Sequence, residues 1–186
     1  MCGIVGVSTC GEQGQEYKDL VQQMCTSIAH RGPDDEGIYH DNWTCMGNRR
    51  LSIIDLAAGH QPMSNENRKI WIVFNGEIYN FGPLAEHLRK RGHILRTDSD
   101  TEVIVHLYEE YGEACVEQLN GIFAFAIWDI EKQTLLLARD RLGVKPLFYS
   151  LDANRLIFSS ELKSLILDPN LPRQINFYAL RDFLLM

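Results

Sequence analysis

The chain opens MCGIVGV, so a cysteine lies directly behind the initiator methionine. A small side chain at position 2 generally lets methionine aminopeptidase remove Met1, which would leave Cys2 with a thiol and a free α-amine. An α-amine ordinarily has a pKa of about 7.7–8.0, which suits general base catalysis near neutral pH. Cys2 could therefore combine a nucleophile with its own base and perform acyl transfer without a histidine. Alone, the position of one residue is weak evidence for catalysis.

Acyl transfer also needs donors for the developing oxyanion, and the stretch FNGEIYN supplies candidates. The apolar run 70–74 predicts a strand that ends at Asn75 and Gly76. There Gly76 would permit a tight turn with an outward backbone N–H, and Asn75 would bring a carboxamide donor. The alternative is an ordinary hairpin, because Asn-Gly between apolar residues is the strongest short-range hairpin signal.

Two charged residues could hold an amino-acid substrate. Arg50, in NRRLSIID, could take an α-carboxylate in bidentate fashion, and Asp100, in TDSDTE, could accept an α-ammonium group. The alternative for Arg50 is a surface charge between two strands. For Asp100 it is favourable electrostatics in the first turn of a helix.

The histidines and cysteines give no sign of a metal site. None of the six histidines stands in a recognised ligand spacing, so all six are predicted to be structural or solvated, and a papain-like Cys–His pair has no local support. The five cysteines contain no C-x-x-C pair, which argues against a disulfide framework and a zinc site. Four of them are predicted to be buried small hydrophobes in a reducing compartment: Cys10, Cys25, Cys45 and Cys115.

Local patterns predict the elements that must position these groups. Helical spacing of apolar residues predicts a helix over 17–28 that ends before His30-Arg31-Gly32-Pro33. Ser99 and Glu102 fit a capping box at the start of another helix. A further helix is predicted from Pro83 to a stop at Gly92. Short β-rich runs are predicted at 4–7, 37–40, 51–54 and 70–74.

Four runs in the second half of the chain are predicted to be strands: IFAFAIWDI, TLLLARD, PLFYS and RLIFSS. The first run is apolar at nearly every position, so we expect helices on one of its faces and a second sheet on the other. No repeat or linker divides the chain, which predicts one domain over 1–186. A last helix is predicted behind Asn176 as N-cap, and because it has no stop signal we expect a truncated longer protein.

Composition narrows the class of partner. The chain has 186 residues, 45% of them apolar, with a formal net charge of -7 and a pI near 5.3. These values suit a globular protein and argue against nucleic acid or an anionic membrane as the main partner, because phosphate neutralisation needs clustered positive charge. No signal peptide and no long apolar span is present, so we expect a cytoplasmic protein.

Nine stretches in order resemble the N-terminal glutaminase domain of glutamine-dependent asparagine synthetases, which are class II (N-terminal nucleophile) glutamine amidotransferases. They are MCGIVG at the start, HRGPDDEG at 30–37, RLSIID at 50–55, GHQPM at 59–63, FNGEIYN at 74–80, SDTEVI at 99–104, LNGIFAFAIWD at 119–129, RDRLGVKPLFY at 139–149 and SSELKSL at 159–165. Together these motifs are specific and run nearly end to end, although any one could arise by chance.

The resemblance implies an α+β fold of the Ntn-hydrolase type, a four-layer αββα sandwich of two mainly antiparallel sheets. It implies that Cys2 attacks the side-chain amide of glutamine through a thioester, that Asn75 and Gly76 form the oxyanion hole, and that glutamate and ammonia are the products. The glutamine contacts that it implies are Arg50, Leu51, Ser52, Ile53, Ile54, Asn75, Gly76, Glu77 and Asp100.

The resemblance also implies a C-terminal synthetase domain, absent from this chain, that binds ATP and Mg²⁺ and uses ammonia to amidate aspartate. No cofactor or metal is expected in the present domain, and a homodimer is possible. One alternative is a domain that serves a synthetase with another acceptor. A second is a catalytically silent interaction module, which would have no reason to keep Cys2, Asn75, Gly76, Arg50 and Asp100. A third is a sugar-phosphate or phosphoribosyl amidating enzyme. Three sequence motifs argue against it: RLSIID, NGEIYNF and SDTEVI.

Overall fold

The computed structural model of the chain describes residues 2–51 and 59–185. Within those ranges it contains nine strands, six α-helices and three short 3-10 turns. In chain order the strands and α-helices are β1 (Gly3–Thr9), α1 (Lys18–Ser27), β2 (Asp35–His40), β3 (Thr44–Arg50), β4 (Met63–Ser64), β5 (Ile70–Ile78), α2 (Phe81–Lys90), α3 (Asp100–Tyr111), α4 (Cys115–Gln118), β6 (Gly121–Asp129), β7 (Thr134–Arg139), β8 (Phe148–Leu151), β9 (Arg155–Ser159), α5 (Leu162–Leu165) and α6 (Phe177–Leu185).

The strands form two antiparallel sheets. The first has the order β2-β3-β1-β9-β8 and the second β4-β5-β6-β7. β1 lies in the middle of the first sheet, where Gly3 pairs with Arg49 of β3 and Val5 pairs with Ser159 of β9. The residue before β1 is therefore held at a defined place at the end of a central strand.

β6 shows why the sheets stack between helices. Phe123, Phe125 and Ile127 face α2 and α3, whereas Ala124, Ala126 and Trp128 face the first sheet. The small alanines let the two sheets approach, and the large side chains on the opposite face fill the space under the helices. The doubly covered strand expected from the sequence is confirmed.

The outer faces of both sheets are covered by helices. α1 and α5 pack on the first sheet, and α2 and α3 pack on the second. The layers therefore run helix, sheet, sheet, helix, which confirms the predicted α+β, αββα fold of the Ntn-hydrolase type.

Of the strand predicted at 51–54, only Leu51 lies within the described residues, and it belongs to no strand. The strand just before it, β3 at Thr44–Arg50, was not predicted. The TCMGNRR segment lacks apolar alternation, so its sequence gives no strand signal, and it forms a strand because β1 and β2 pair with both of its edges.

The capping box at α3 is only partly as predicted. Ser99 is the N-cap, but its Oγ accepts a hydrogen bond from Thr101 N rather than from Glu102 N. The Glu102 carboxylate accepts from the backbone N–H groups of Arg96 and Thr97, at 2.9 Å and 2.7 Å, and not from Ser99. Glu102 therefore fixes the connection before the helix rather than the N-cap itself.

The last helix begins where the sequence predicts. Asn176 Oδ1 accepts from the backbone N–H groups of Tyr178 and Ala179. The aromatic and leucine side chains of α6 are largely exposed. Among the helices of the described ranges, none combines the length and apolar character that a bilayer span needs.

Candidate active site

A cavity of about 220 Å³ lies where the ends of the two sheets meet the start of α3. It brings together seven of the residues implied to act on glutamine: Cys2, Arg50, Leu51, Asn75, Gly76, Glu77 and Asp100. Ser52, Ile53 and Ile54 lie outside the described residues. A volume of this order can hold a ligand the size of an amino acid.

Cys2 is placed by the strand that follows it. Its carbonyl oxygen accepts a hydrogen bond from Arg31 Nε at 2.9 Å, and its Sγ lies 3.9 Å from the carbonyl oxygen of Leu51. The side chain is partly exposed, so a ligand in the cavity can reach it.

Arg31 belongs to an ion-pair network that sequence reasoning missed. Its Nη1 lies 3.1 Å from Glu161 Oε1, and His30 Nε2 lies 2.8 Å from the same oxygen. Burial raises the pKa of Glu161, but hydrogen bonds from His30, Arg31 and Lys163 outweigh it and lower that pKa. The signal was present, because HRGPDDEG and SSELKSL both carry the resemblance, but neither motif was given a role.

The other cysteines are less suited to nucleophilic chemistry. Cys25, Cys45 and Cys115 are buried, and burial raises the pKa of each thiol to about 12. A buried thiol with a raised pKa supplies little thiolate. The prediction that Cys10 is buried is wrong, because Cys10 follows β1 in a surface bend and is exposed.

Asn75 and Gly76 do not form the predicted turn, and the hairpin alternative is also wrong. β5 continues through both residues to Ile78, and Gly76 pairs with Phe123 of β6. A Cβ at Gly76 would lie 2.4 Å from the carbonyl oxygen of Ile122, so the close approach of β6 requires glycine here. The long partner strand overrides the local Asn-Gly turn preference.

The backbone N–H of Gly76 nevertheless points outward, for a different reason. Alternate N–H groups of a strand point to the same side. Phe74 N donates to Gln61 Oε1 and Ile78 N donates to Asp100 Oδ2, so both point away from β6. Gly76 N–H lies between them on the same open edge and faces the cavity.

The Asn75 side chain has an amide nitrogen without a partner. Asn75 is 1% exposed, and its Nδ2 has no hydrogen-bond acceptor among the described residues. Leaving a buried donor unpaired costs about 1–3 kcal/mol. An unpaired donor in the wall of a cavity is suited to an oxygen that a ligand brings.

A buried bridge holds the strand next to Asn75. We define the bridge as Asn48, Gln61 and Thr101. Gln61 Oε1 accepts from Phe74 N at 2.7 Å and from Asn48 Nδ2 at 3.1 Å, and Gln61 Nε2 donates to Thr101 Oγ1 at 3.4 Å. It joins β3, β5 and α3 beside the cavity. Gln61 was missed as a positioning residue although GHQPM carries the resemblance.

Arg50 lies at the end of β3 and is 7% exposed, which excludes the alternative of a surface charge. The 30–33 turn packs tightly on this strand, since a Cβ at Gly32 would lie 2.4 Å from Arg50 N. Arg50 itself lines the cavity.

Asp100 is the first residue of α3 and connects that helix to β5 through Ile78 N, at 3.0 Å. Burial raises the pKa of its carboxyl, the N–H groups of Ile78 and Thr101 oppose that rise, and the nearby charge of Glu77 adds to it. Glu77 itself is exposed at the cavity rim. The two carboxylates give this side of the cavity a negative charge that favours a cationic group.

The cavity also contains a lysine that sequence reasoning did not single out. Lys145 is buried in its wall, and its backbone N–H donates to Asp140 Oδ2 at 3.0 Å. It lies within RDRLGVKPLFY, another of the resembling stretches.

Comparison with known proteins identifies the family of the chain. The family model of the glutamine amidotransferase domain matches residues 1–186. Asparagine synthetase [glutamine-hydrolyzing] 1 of Bacillus subtilis is 45% identical over 172 residues, which cover 91% of this chain and 27% of that protein. Asparagine synthetase [glutamine-hydrolyzing] 1 of Arabidopsis thaliana is 43% identical over 89% of this chain and 28% of its own length.

A solved structure has the same fold at low identity. The glutamine phosphoribosylpyrophosphate amidotransferase of B. subtilis superimposes with a TM-score of 0.73 at 21% identity, over 89% of this chain and 43% of that one. The chain spans 24% to 35% of the length of the curated relatives that it matches. The match of the family model along the whole chain places this protein in the glutamine amidotransferase domain family, with glutamine-hydrolysing asparagine synthetases among its relatives.

Proposed function

We propose that this chain hydrolyses glutamine to glutamate and ammonia through a thioester at Cys2. The observation that carries the proposal is the unpaired Nδ2 of buried Asn75 in the cavity that also contains Cys2. A buried donor without an acceptor is expensive unless a ligand supplies one. The oxyanion of an acyl-transfer intermediate is such an acceptor.

In the first step the Cys2 sulfur attacks the side-chain amide carbon of glutamine. Removal of Met1 frees the α-amine of Cys2, which takes the thiol proton as the C–S bond forms. The amine then returns that proton to the leaving nitrogen as the C–N bond breaks, and ammonia departs. No cofactor is needed for these bond changes.

The negative charge of the tetrahedral intermediate develops on the former carbonyl oxygen. Asn75 Nδ2 and the Gly76 N–H are the donors assigned to it. Asn75 Nδ2 does not have to leave a protein partner among the described residues, so little reorganisation of this donor is required when the charge appears. The intermediate collapses to a glutamyl thioester, which water hydrolyses with the same amine as base.

The substrate's α-groups are assigned to the opposite charges of the cavity. Arg50 binds the α-carboxylate, since a guanidinium offers two parallel donors to a carboxylate. Asp100 accepts the α-ammonium, with Glu77 adding negative charge nearby. Leu51, in the cavity wall, supplies a further contact. Contacts from Ser52, Ile53 and Ile54 stay a prediction from the resemblance, since these residues lie outside the described ranges.

We propose further that the ammonia serves an ATP-dependent synthetase domain that amidates aspartate. The length of the relatives supports this, since the present chain spans 24% to 35% of each. ATP and Mg²⁺ would bind in that further domain. The relatives described above are named asparagine synthetases, so an acceptor other than aspartate is not favoured, and the assembled cavity disfavours a silent interaction module.

We propose a cytoplasmic location, because the described thiols are free and three of them are buried without a partner cysteine. A homodimer stays a prediction from the resemblance.

The test is release of glutamate and ammonia from glutamine by the 186-residue chain, compared with Cys2→Ala and Cys10→Ala. Cys10→Ala is the matched control, because it removes an exposed thiol at the other end of β1. We expect Cys2→Ala to abolish release and Cys10→Ala to keep it. Equal release by both variants, or no release by the parent after mass spectrometry shows that Met1 is gone, would contradict the proposal.

A further inference from the structure

A second cluster of titratable side chains lies away from the glutamine cavity. Glu66 belongs to the β4–β5 connection, His93 to the connection between α2 and α3, and His106 and Glu109 to α3. None of these four residues lines the cavity that contains Cys2. The sequence-based interpretation treats both histidines as structural or solvated, and the family assignment gives neither a role.

The donor atoms of the cluster face one another at short range. His93 Nδ1 lies 3.1 Å from His106 Nδ1. Glu109 Oε2 lies 2.7 Å from His106 Nδ1 and 3.7 Å from His93 Nδ1, and Glu66 Oε2 lies 3.8 Å from His106 Nδ1. A tetrahedral zinc ion with bonds of about 2.0–2.1 Å separates its ligand atoms by roughly 3.3 Å, and these distances fall on both sides of that value.

The far side of each ring faces a further carboxylate. His93 Nε2 lies 2.8 Å from Glu110 Oε1, and His106 Nε2 lies 3.8 Å from Glu102 Oε1. With its Nε2–H donated to Glu110, His93 presents the lone pair of Nδ1 to the centre of the cluster. Metal-ligating histidines almost always have such a carboxylate or carbonyl behind the ring.

The charge balance of the cluster also favours a cation. Two imidazoles face the four carboxylates of Glu66, Glu102, Glu109 and Glu110. Among the described residues Glu110 also pairs with Arg91. His106 is 1% exposed, so an ion bound to its Nδ1 would be held inside the protein.

We propose that Glu66, His93 and His106 form a binding site for a divalent transition-metal ion, with zinc as its best match and with the Glu109 carboxylate beside it. Two imidazole nitrogens and a carboxylate oxygen, with a fourth position open, are a ligand set that zinc accepts, whereas magnesium prefers oxygen ligands in an octahedron. The site departs from the sequence-based expectation of a domain without metal. It does not depend on the glutamine chemistry.

The position of the site assigns it a structural role. An ion there ties the α2–α3 connection to α3 and to the β4–β5 connection. Within the same connection, Glu102 accepts from Arg96 N and Thr97 N, and the segment then leads into Asp100. Metal binding should therefore fix the segment that carries one of the glutamine contacts.

The competing arrangement is a proton in place of the metal. A single N–H on His106 Nδ1 could point between Glu109 Oε2 and His93 Nδ1, at 2.7 Å and 3.1 Å, and hold the cluster without any ion. The two arrangements predict different responses to added metal.

The experiment measures bound zinc per chain, after metal removal and reloading with zinc chloride, together with the shift in Tm on adding zinc or magnesium. The parent is compared with His93→Gln, Glu66→Gln and His87→Gln. His87→Gln is the matched control, because His87 is exposed on α2 and its Nε2 contacts Tyr111 Oη, outside the cluster. Cys2 and Cys10 are present in every protein, so zinc on their thiols cancels in the comparison.

We expect the parent and His87→Gln to bind one zinc more than His93→Gln, and zinc but not magnesium to raise their Tm. Glu66→Gln, whose side chain is 38% exposed in the parent, should fold normally and bind that zinc at least tenfold more weakly. Equal zinc content in all four proteins, or no Tm response of the parent to zinc, would overturn the proposal and favour the proton-bridged pair.

Discussion

The bridge and the glutamine cavity are neighbouring buried polar regions that satisfy their hydrogen bonds differently. In the bridge the side-chain amide nitrogens of Asn48 and Gln61 both have acceptors. In the cavity Asn75 Nδ2 has none among the described residues, although Asn75 is as deeply buried as Asn48. Two asparagines of similar burial, in facing strands, thus have opposite hydrogen-bond states.

The difference separates a structural role from a functional one. A paired buried amide stabilises the fold, because its loss would leave partners unsatisfied. An unpaired buried amide costs stability and is retained where a ligand completes it. The bridge ties β5 to β3 and α3, and under the proposed function this fixed position holds Asn75 and Gly76 as the donors for the oxyanion.

The largest effect should come from exchanging the two asparagines for alanine. Asn75→Ala should lower kcat by about 10²–10³-fold, the usual cost of one lost oxyanion donor, with no loss of stability. Asn48→Ala should do the reverse, lowering the free energy of unfolding by about 1–3 kcal/mol because Gln61 Oε1 and the Phe74 carbonyl lose a donor. Steady-state glutaminase kinetics and urea denaturation measure both. If the two variants lose activity and stability in the same proportion, the distinction between the regions is wrong.

Breaking the centre of the bridge should affect both regions. Gln61→Leu leaves Phe74 N and Asn48 Nδ2 without their acceptor, at about 1–3 kcal/mol for each unsatisfied group. Because Phe74 adjoins Asn75, kcat should fall as well. Thermal unfolding and kcat are the readouts.

Thr101→Val is the control for the Gln61 variant. It removes only the long 3.4 Å contact at the edge of the bridge and should leave both quantities near those of the parent. A Thr101→Val protein as damaged as Gln61→Leu would show that the bridge does not act through Phe74.

Asp100→Asn should affect substrate binding rather than chemistry. Asparagine Oδ1 can still accept from Ile78 N, so the fold should be kept, but the negative charge for the α-ammonium is lost. A hydrogen bond to a charged group contributes about 1.5–3 kcal/mol, so KM should rise roughly 10- to 150-fold. kcat at saturating glutamine should change little. A drop in kcat at unchanged KM would remove Asp100 from the ammonium site.

The smallest effect concerns the pH dependence of glutamine binding. Burial raises the pKa of Asp100, so its carboxylate becomes protonated at a higher pH than an ordinary aspartate as acid is added. The affinity of the non-reacting Cys2→Ala protein for glutamine should therefore weaken on acidification before pH reaches the ordinary aspartate value of about 3.9. Calorimetric titration across this range measures it. Cys2→Ala with Asp100→Asn should lose that step, and its persistence would assign it to another group.

The sequence predicts those parts of the fold whose signal lies within one segment. The continuous apolar run of β6 identifies a strand covered on both faces, and Ser99 and Asn176 identify two helix starts. β3 is not predicted because its TCMGNRR segment has no apolar alternation, and it forms a strand because β1 and β2 pair with its two edges. The turn predicted at Asn75-Gly76 is wrong because the long pairing of β5 with β6 outweighs a local turn preference.

The candidate site shows the same division. Cys2 can be predicted as a nucleophile because it is the second residue of the chain. The cavity brings together five residues, in agreement with the roles that the resemblance implies: Cys2, Arg50, Asn75, Gly76 and Asp100. Arg31 and Gln61 lie in motifs that carry the resemblance, but the sequence does not show what either side chain contacts. They act through backbone atoms of Cys2 and Phe74, which lie 29 and 13 residues away.

The most direct test of the central claim is the intact mass of the purified chain before and after treatment with 6-diazo-5-oxo-norleucine, a glutamine analogue that traps such nucleophiles. The account predicts that the untreated protein lacks Met1, that treatment adds one adduct, and that peptide mapping places it on Cys2. Cys2→Ala should gain none, and Cys10→Ala should react like the parent. A processed chain that forms no adduct, or an adduct that survives in Cys2→Ala, would contradict the assignment of Cys2 as the glutamine-directed nucleophile.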